Sequence, residues 1–507
     1  MVRGYFYGKK YDSKVFLSAN KIERENIMQQ PANLIEALVM RAEHNPENIA
    51  FSYLDDQCNV VCQLSNQQLH VRAVEIAGKL QQIISPEDRV LLLFPQGLEF
   101  IYAFMGVMYS GAIPVTTAPP KNTHHSDDQV FNIKDVIEKT NVDVVLTSTS
   151  ILDEVVQYFF KSKTLSEKVF LSVEEITGDF ADYWSMPLIE NTSVAYLQRT
   201  SDKNRIPKFV MISHDNMKNT HESIKREYRL TTSSRSVNWL PHYHYLGLVL
   251  GILQPLYCGY RGYIYSPFDF YKNPHGWLHA ITKYEATFSG APDFAYSMCV
   301  EQEISSQQNL NLSKWNTAYN SGEPVKKETM DGFFRKFRGC GLQKKALVSI
   351  YGLAESSCVT SGKNKENNFT IIPRKSLQYL SESMVDKNQS GHGSTNIISC
   401  GSAVPGAQVV IVVPGTRIKS DDLELGEILV SSACNALAYW GKPAEKKEMF
   451  NIYLEGSGDG PYLRTGDLGF MKKGELHVVG RLKNDGQVGH SPVNILQHQP
   501  VNEQSTH

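Results

Sequence analysis

Side chains that could do chemistry fall in a few short groups along this 507-residue sequence. Tyr351-Gly-Leu-Ala-Glu355 follows the strand-like run Ala346-Leu-Val-Ser-Ile350, which places an aromatic ring and a carboxylate at a strand end. Tyr462-Leu-Arg-Thr-Gly-Asp-Leu-Gly469 sets Asp467 beside glycines, and Gly480-Arg-Leu-Lys483 follows with two cations. Singly, each match is short enough to arise by chance; it is their order in a chain of this length that carries the signal. Several commoner chemistries are excluded. None of the four Gly-Lys pairs is followed by Ser or Thr, so there is no Walker A loop, and neither G-x-G-x-x-G nor G-x-S-x-G occurs. His124-His125 with Asp127-Asp128 has metal-ligand residue types, but it follows Pro119-Pro120 in a polar run and reads as a solvated loop. Cys58 and Cys62 lack the second pair that a zinc site needs, and the eight cysteines read as small buried thiols in a reducing compartment.

The elements that must position these groups have globular composition. Lys and Arg number 51 against 53 Asp and Glu, a net charge of −2, which argues against a basic nucleic-acid-binding face. The N-terminus has no signal-peptide run, and the apolar stretches at 102–115 and 246–256 fall short of the ~18 residues that span a bilayer, so a cytoplasmic chain without a membrane span is expected. Residues 1–30 read as an N-terminal extension. Helical spacing begins at Asn33 and stops at Asn45-Pro46, Ile49-Ala-Phe-Ser-Tyr-Leu reads as a strand, and residues 65–82 read as a helix. Asp88-Arg-Val-Leu-Leu-Leu-Phe94 is a short continuous apolar run of the kind a buried parallel strand shows. Strand and helix periods keep alternating, which predicts a layered α/β core over residues 31–395. From 396 to 480 short strands separated by Gly and Pro predict a smaller β-rich subdomain. Residues 481–507 are expected to be a hinge remnant and an unstructured tail.

Taken in order, the three motifs resemble the adenylate-forming superfamily of acyl-CoA synthetases, luciferases and peptide-synthetase adenylation domains. The resemblance covers roughly residues 33–483 and is nearest to the fatty-acyl-AMP ligase branch. Trp239-Leu-Pro-His-Tyr-His-Tyr-Leu-Gly-Leu, Gln254-Pro-Leu-Tyr, Ser289-Gly-Ala-Pro-Asp-Phe-Ala-Tyr and Asn320-Ser-Gly-Glu-Pro324 all look like that branch. Residues 361–398 sit where these ligases carry an insertion absent from acyl-CoA synthetases.

The resemblance implies a large α/β domain with a smaller β-rich subdomain, and a reaction in which a fatty-acid carboxylate attacks the α-phosphate of ATP. Acyl-AMP and pyrophosphate result, with the acyl group destined for an acyl carrier protein or a polyketide synthase. By this similarity Asn320, Gly322, Glu323, Tyr351 and Gly352 enclose the adenine, Asp467 accepts from the ribose hydroxyls, and Arg481 reaches the ribose from the hinge. Glu355 binds Mg²⁺, a hard cation that prefers oxygen ligands. Thr200, Ser201 and Lys208 face the phosphates, with Lys208 and Glu355 catalytic, while His244, Tyr245 and Gly247 wall the acyl tunnel. Two plainer readings stay open: a core aromatic for Tyr351 and an Asx turn after Gly466 for Asp467.

The sequence departs from the family in three places. The family's phosphate loop runs roughly T-S-G-S-T-x-x-P-K-G; here it is Thr200-Ser-Asp-Lys-Asn-Arg-Ile-Pro-Lys-Phe209, with Asp202 and Phe209 in place of glycines. Glycine-rich loops turn successive N–H groups inward, and a non-glycine residue forced to positive φ costs about 1–2 kcal/mol. Weak ATP binding or none is therefore expected. Tyr245 stands where the family has an Asp after the second His, which unsettles the tunnel. Beyond Lys483 the family continues into a domain of about a hundred residues, which carries a lysine for the α-phosphate and is expected to be missing here. The expected function is a fatty-acyl-AMP ligase of low activity. The alternative is an inactive homologue that binds acyl groups or nucleotides or serves in assembly.

Overall fold

A computed structural model describes residues 31, 33–119, 127–153, 162–200, 207–303, 310–362, 369–373, 394–482 and 488–489. Local chemistry starts the helices, the first two of them where the sequence predicts. The helix Leu34–His44 begins at Asn33, whose side chain accepts from the Glu36 N–H at 3.0 Å. The helices Asn66–Gln81 and His214–Tyr228 open with capping boxes, Ser65 with Gln68 and Ser213 with Asn216. Each box satisfies two backbone donors at once, which fixes the angle at which the chain leaves the preceding strand.

Two sheets form the layered body. One has nine strands, in the order Ser402–Ala403, Ser357–Ser361, Leu347–Leu353, Thr317–Asn320, Phe288–Ala291, Arg235–Asn238, Arg261–Ile264, Ile49–Leu54 and Val60–Ser65. Its centre is parallel and its edges antiparallel. The other has six strands, in the order Val169–Ser172, Val144–Thr147, Arg89–Leu93, Ile113–Thr116, Val194–Arg199 and Phe209–Ser213. Helices Asn66–Gln81 and Leu98–Tyr109 pack on one another, and the core around them takes in Phe51, Val90, Phe100, Leu248 and Tyr351. Central strands such as Arg89–Leu93 are apolar and buried from Val90 onward because helices cover both faces of a parallel sheet.

The β-rich part is an antiparallel sheet of five strands, Ala407–Val412, Gly426–Ser432, Leu463–Lys472, Glu475–Leu482 and Val488–Gly489. The expected α/β class with a smaller β-rich region is thus observed. Its boundary differs from 395/396: that point falls inside the strand Ser394–Ile398, and Ser402–Ala403 still pairs in the nine-stranded sheet. Within the expected insertion, Phe369–Pro373 pairs antiparallel with Ser394–Ile398. Arg481 lies near the end of the strand Glu475–Leu482, and Val488–Gly489 pairs with Arg481–Leu482 where an unstructured tail was expected. The rest of that tail lies outside the described residues, as do residues 1–30. Asp127 and Asp128 open a helix, Asp127–Thr140, instead of lying in a loop. Cys62 is exposed and Cys340 half-buried, so the buried-thiol reading holds for the other six cysteines. None of the described helices is long and apolar enough to cross a membrane.

Candidate functional site

The nine-stranded and five-stranded sheets meet at Tyr351 and Asp467. Tyr351 sits in the strand Leu347–Leu353, and its hydroxyl donates to Asp467 Oδ2 at 2.7 Å. Asp467 is paired in register with Arg481 across the adjoining strands, with Arg481 Nε 3.7 Å from its Oδ1. Burial pushes the Tyr351 phenol well above its usual range, and the Asp467 charge adds to this, so the hydroxyl stays protonated and donates. The Asx-turn reading of Asp467 gives way: its own N–H bonds Thr465 Oγ1 at 3.0 Å, while its carboxylate is turned to Tyr351 and Arg481.

A cavity of about 120 Å³ opens at this junction, lined by Gly322, Glu323, Tyr351, Gly352, Asp467 and Arg481 together with Ile350, Ile398 and Val478. Six residues drawn from four separate motifs therefore line one cavity. Gly322 has φ +93, and a Cβ there would press on Leu246, so only glycine allows the chain to turn at that point. Glu323 accepts the Phe294 N–H at 2.6 Å, capping a helix, Asp293–Glu301, whose own N-cap is Pro292. Desolvation raises the Glu323 carboxyl to about 7, against the opposing pull of the Phe294 N–H. Asn320 is not on the cavity wall. It is fully buried, and its Nδ2 donates to Asp293 Oδ1 at 2.8 Å, tying the Asn320–Pro324 turn to the helix start.

Thr200 and Lys208 close the two ends of the expected phosphate loop: the Thr200 N–H bonds the Lys208 carbonyl at 2.9 Å, and the Lys208 N–H bonds Thr200 Oγ1 at 3.0 Å. Ser201 and residues 202–206, Asp202 included, lie outside the described residues. Phe209 corrects an expectation. It is a buried strand residue paired with Arg199 and is not among the residues with positive φ, so no backbone strain attaches to this replacement of glycine.

Glu355 is buried, and its Oε1 accepts the Tyr439 hydroxyl at 2.8 Å. The Lys208 ammonium lies 4.4 Å from the centre of the Tyr439 ring and forms an ion pair with Glu445. The backbone explains this convergence. Leu437 and Trp440 donate to the carbonyls of Met211 and Phe209, and Ala436 donates to that of Glu355, so the segment before the helix Pro443–Met449 runs as an extra edge against the strand Phe209–Ser213. Sequence reasoning missed Tyr439 and Glu445. The one local signal was Lys442-Pro-Ala-Glu445, a helix start with an acidic first turn.

His244, Tyr245 and Gly247 are brought together at the start of a π-helix, Leu246–Leu253, whose residues are all buried. The His244 ring is held neutral, its value lowered to about 4 by burial, and its Nε2 bonds to none of the described residues. Tyr245 is a bridge: its hydroxyl donates to the Gly352 carbonyl at 3.0 Å, tying the acyl motif to the floor of the cavity.

A family model described as AMP-binding enzyme matches residues 38–440. The chain is 34% identical over 457 residues to the medium-chain-fatty-acid–[acyl-carrier-protein] ligase JamA of Moorena producens, covering 89% of this chain and 77% of that one. It is 30% identical to the long-chain-fatty-acid–AMP ligase FadD28 of Mycobacterium tuberculosis, covering 89% and 79%. The crystal structure of a fatty acid AMP ligase from Legionella pneumophila superposes with a TM-score of 0.81 at 33% identity, covering 90% of this chain and 77% of that one. A fatty acyl-adenylate ligase from the same organism, in complex with acyl adenylate and pyrophosphate, superposes at 0.80 with 32% identity, covering 90% and 78%. The chain belongs to the AMP-binding enzyme family, in its fatty-acyl-AMP ligase branch.

Proposed function

We propose that this protein activates a fatty acid as its acyl-adenylate at the Tyr351–Asp467 cavity, using ATP and Mg²⁺, for delivery to an acyl carrier protein or a polyketide synthase. The single observation behind this reading is the convergence of Gly322, Glu323, Tyr351, Asp467 and Arg481 on one cavity between two sheets. The fatty-acid substrate and the carrier partner come from what the relatives' names state of those proteins.

The chain's own residues supply positioning. Asp467, held by Tyr351 and Arg481, presents carboxylate oxygen to the ribose hydroxyls, and the Gly322–Glu323 turn with Tyr351 encloses the adenine. Lys208 supplies positive charge to the phosphates. His244, neutral and buried, lets an uncharged acyl chain approach without a second charge to desolvate. The donor chemistry fits Mg²⁺, a hard cation that takes oxygen ligands, since Glu355 offers a buried carboxylate oxygen. One carboxylate together with substrate phosphates is the usual way this ion is held, and when bound it neutralises phosphate charge. In-line attack then depends on holding the carboxylate and the α-phosphate together.

A second reading, a nucleotide- or acyl-binding homologue without turnover, is favoured by the carboxylate of Asp202 in the phosphate loop. Pyrophosphate exchange driven by medium-chain fatty acids separates the two. The first reading expects exchange above a Lys208→Ala control; its absence, with acyl-AMP analogues still bound, would establish the second. Exchange gained by Asp202→Gly would locate the deficit in the loop.

A further inference from the structure

Both charged side chains that the functional reading turns toward phosphate and metal are engaged by one short segment, residues 436–445. Tyr439 touches the two of them, through its hydroxyl to Glu355 Oε1 and through its ring beneath the Lys208 ammonium. Glu445 completes the arrangement: one carboxylate oxygen pairs with Lys208 Nζ, and the other accepts from Lys442 Nζ at 3.1 Å. Both partners of the Lys208–Glu445 pair are largely shielded, with side-chain exposures of 19% and 27%. Desolvation alone would raise the Glu445 carboxyl, yet the hydrogen bonds from Lys208 and Lys442 outweigh it and leave the group below its ordinary value. The geometry is set by backbone, since the segment is bonded to both Phe209 and Met211 beside Lys208 and to Glu355 itself.

A carboxylate and a phosphate compete for the same ammonium. We propose that Glu445 is an internal counter-ion that occupies Lys208 in place of nucleotide phosphate, so that ATP binds only by displacing it. This rests on the functional reading above, and it makes Glu445 a positioning residue that sets ATP affinity through Lys208. A conformer that must open before binding lowers apparent affinity by the fraction of molecules that are open. For a pair this shielded the effect is about threefold to fivefold, the upper part of the range for ion pairs near a surface.

The test is a comparison of wild type with Glu445→Gln, an isosteric change at a partly exposed helix position. Calorimetry measures MgATP binding, and saturation-transfer NMR measures adenosine, which the functional reading assigns to the Tyr351–Asp467 cavity and which carries no phosphate. The expected result is MgATP bound about threefold to fivefold more tightly by the variant, with adenosine affinity unchanged and the KM for ATP lower in pyrophosphate exchange. MgATP affinity that is unchanged or weaker, with adenosine still bound, would overturn the inference and leave the functional reading standing. Failure of both proteins to bind adenosine and MgATP would overturn the functional reading, and the inference with it.

Discussion

Asp467 divides its carboxylate between a tyrosine hydroxyl and a guanidinium, so its orientation is decided before any ligand arrives. Tyr351→Phe removes one of these holds and leaves the ring in place. AMP affinity should fall about five- to tenfold, with roughly 1 kcal/mol lost in folding stability; calorimetry and urea titration check the two parts. Glu323 carries a different signature. Its carboxyl is raised from 4.5 to about 7, so the folded state holds that proton more tightly than the unfolded chain. The resulting stabilisation is fully present below about pH 4.5 and is lost as pH rises through about 7. Glu323→Gln should flatten the stability of the protein across that interval, and an unchanged slope in urea titrations at pH 5, 6 and 7 would count against it. Most of the cavity wall was legible in the sequence because short motifs fix backbone turns next to their own side chains: Gly322 with Glu323, Tyr351 with Gly352, and Asp467. Tyr439 and Glu445 were not legible. They reach Lys208 through strand pairing across more than two hundred residues, and no local pattern encodes that pairing.

At the level of elements, the parallel strands were the easiest to read. Arg89–Leu93, Ile113–Thr116 and Val144–Thr147 are apolar on both faces because each is covered on both faces, and burial shows directly in composition. The π-helix Leu246–Leu253 gave no comparable signal. Eight buried apolar residues have no polar face, and without a face a period cannot be counted. What holds it is a close approach: a Cβ on Gly247 would collide with the carbonyls of Leu240 and Pro241, whereas one on Gly332, in the helix Lys327–Phe337, would meet only the Val300 methyls at 3.6 and 3.8 Å. Gly247→Ala should therefore cost about 1–3 kcal/mol, and Gly332→Ala should be neutral or stabilising by up to about 1 kcal/mol. Urea midpoints of the two variants measured side by side would decide it. Equal and small effects would mean that the π-helix tolerates the shift and that its mouth at His244 and Tyr245 is looser than its packing shows.

Across the whole molecule, the site is a seam. Ile350, Tyr351 and Gly352 belong to the nine-stranded sheet, while Asp467, Val478, Gly480 and Arg481 belong to the five-stranded one, and the cavity lies where they meet. Among the described residues, bonds across the seam include Tyr351 to Asp467, Cys400 N–H to the Leu476 carbonyl at 2.7 Å, and Ser399 to Glu475 at 2.6 Å. A ligand that touches both walls adds to these bonds and so stabilises their docking as well as each wall. At a hundredfold excess over its dissociation constant, a ligand that binds only the folded state contributes about 2.7 kcal/mol. AMP should raise the unfolding temperature in step with the logarithm of its concentration, and the rise should vanish in Asp467→Ala, which strips the five-stranded wall of its carboxylate. If instead AMP stabilised that variant as strongly as wild type, the nucleotide would be gripping the nine-stranded sheet alone, and the seam would be a packing interface with no part in recognition.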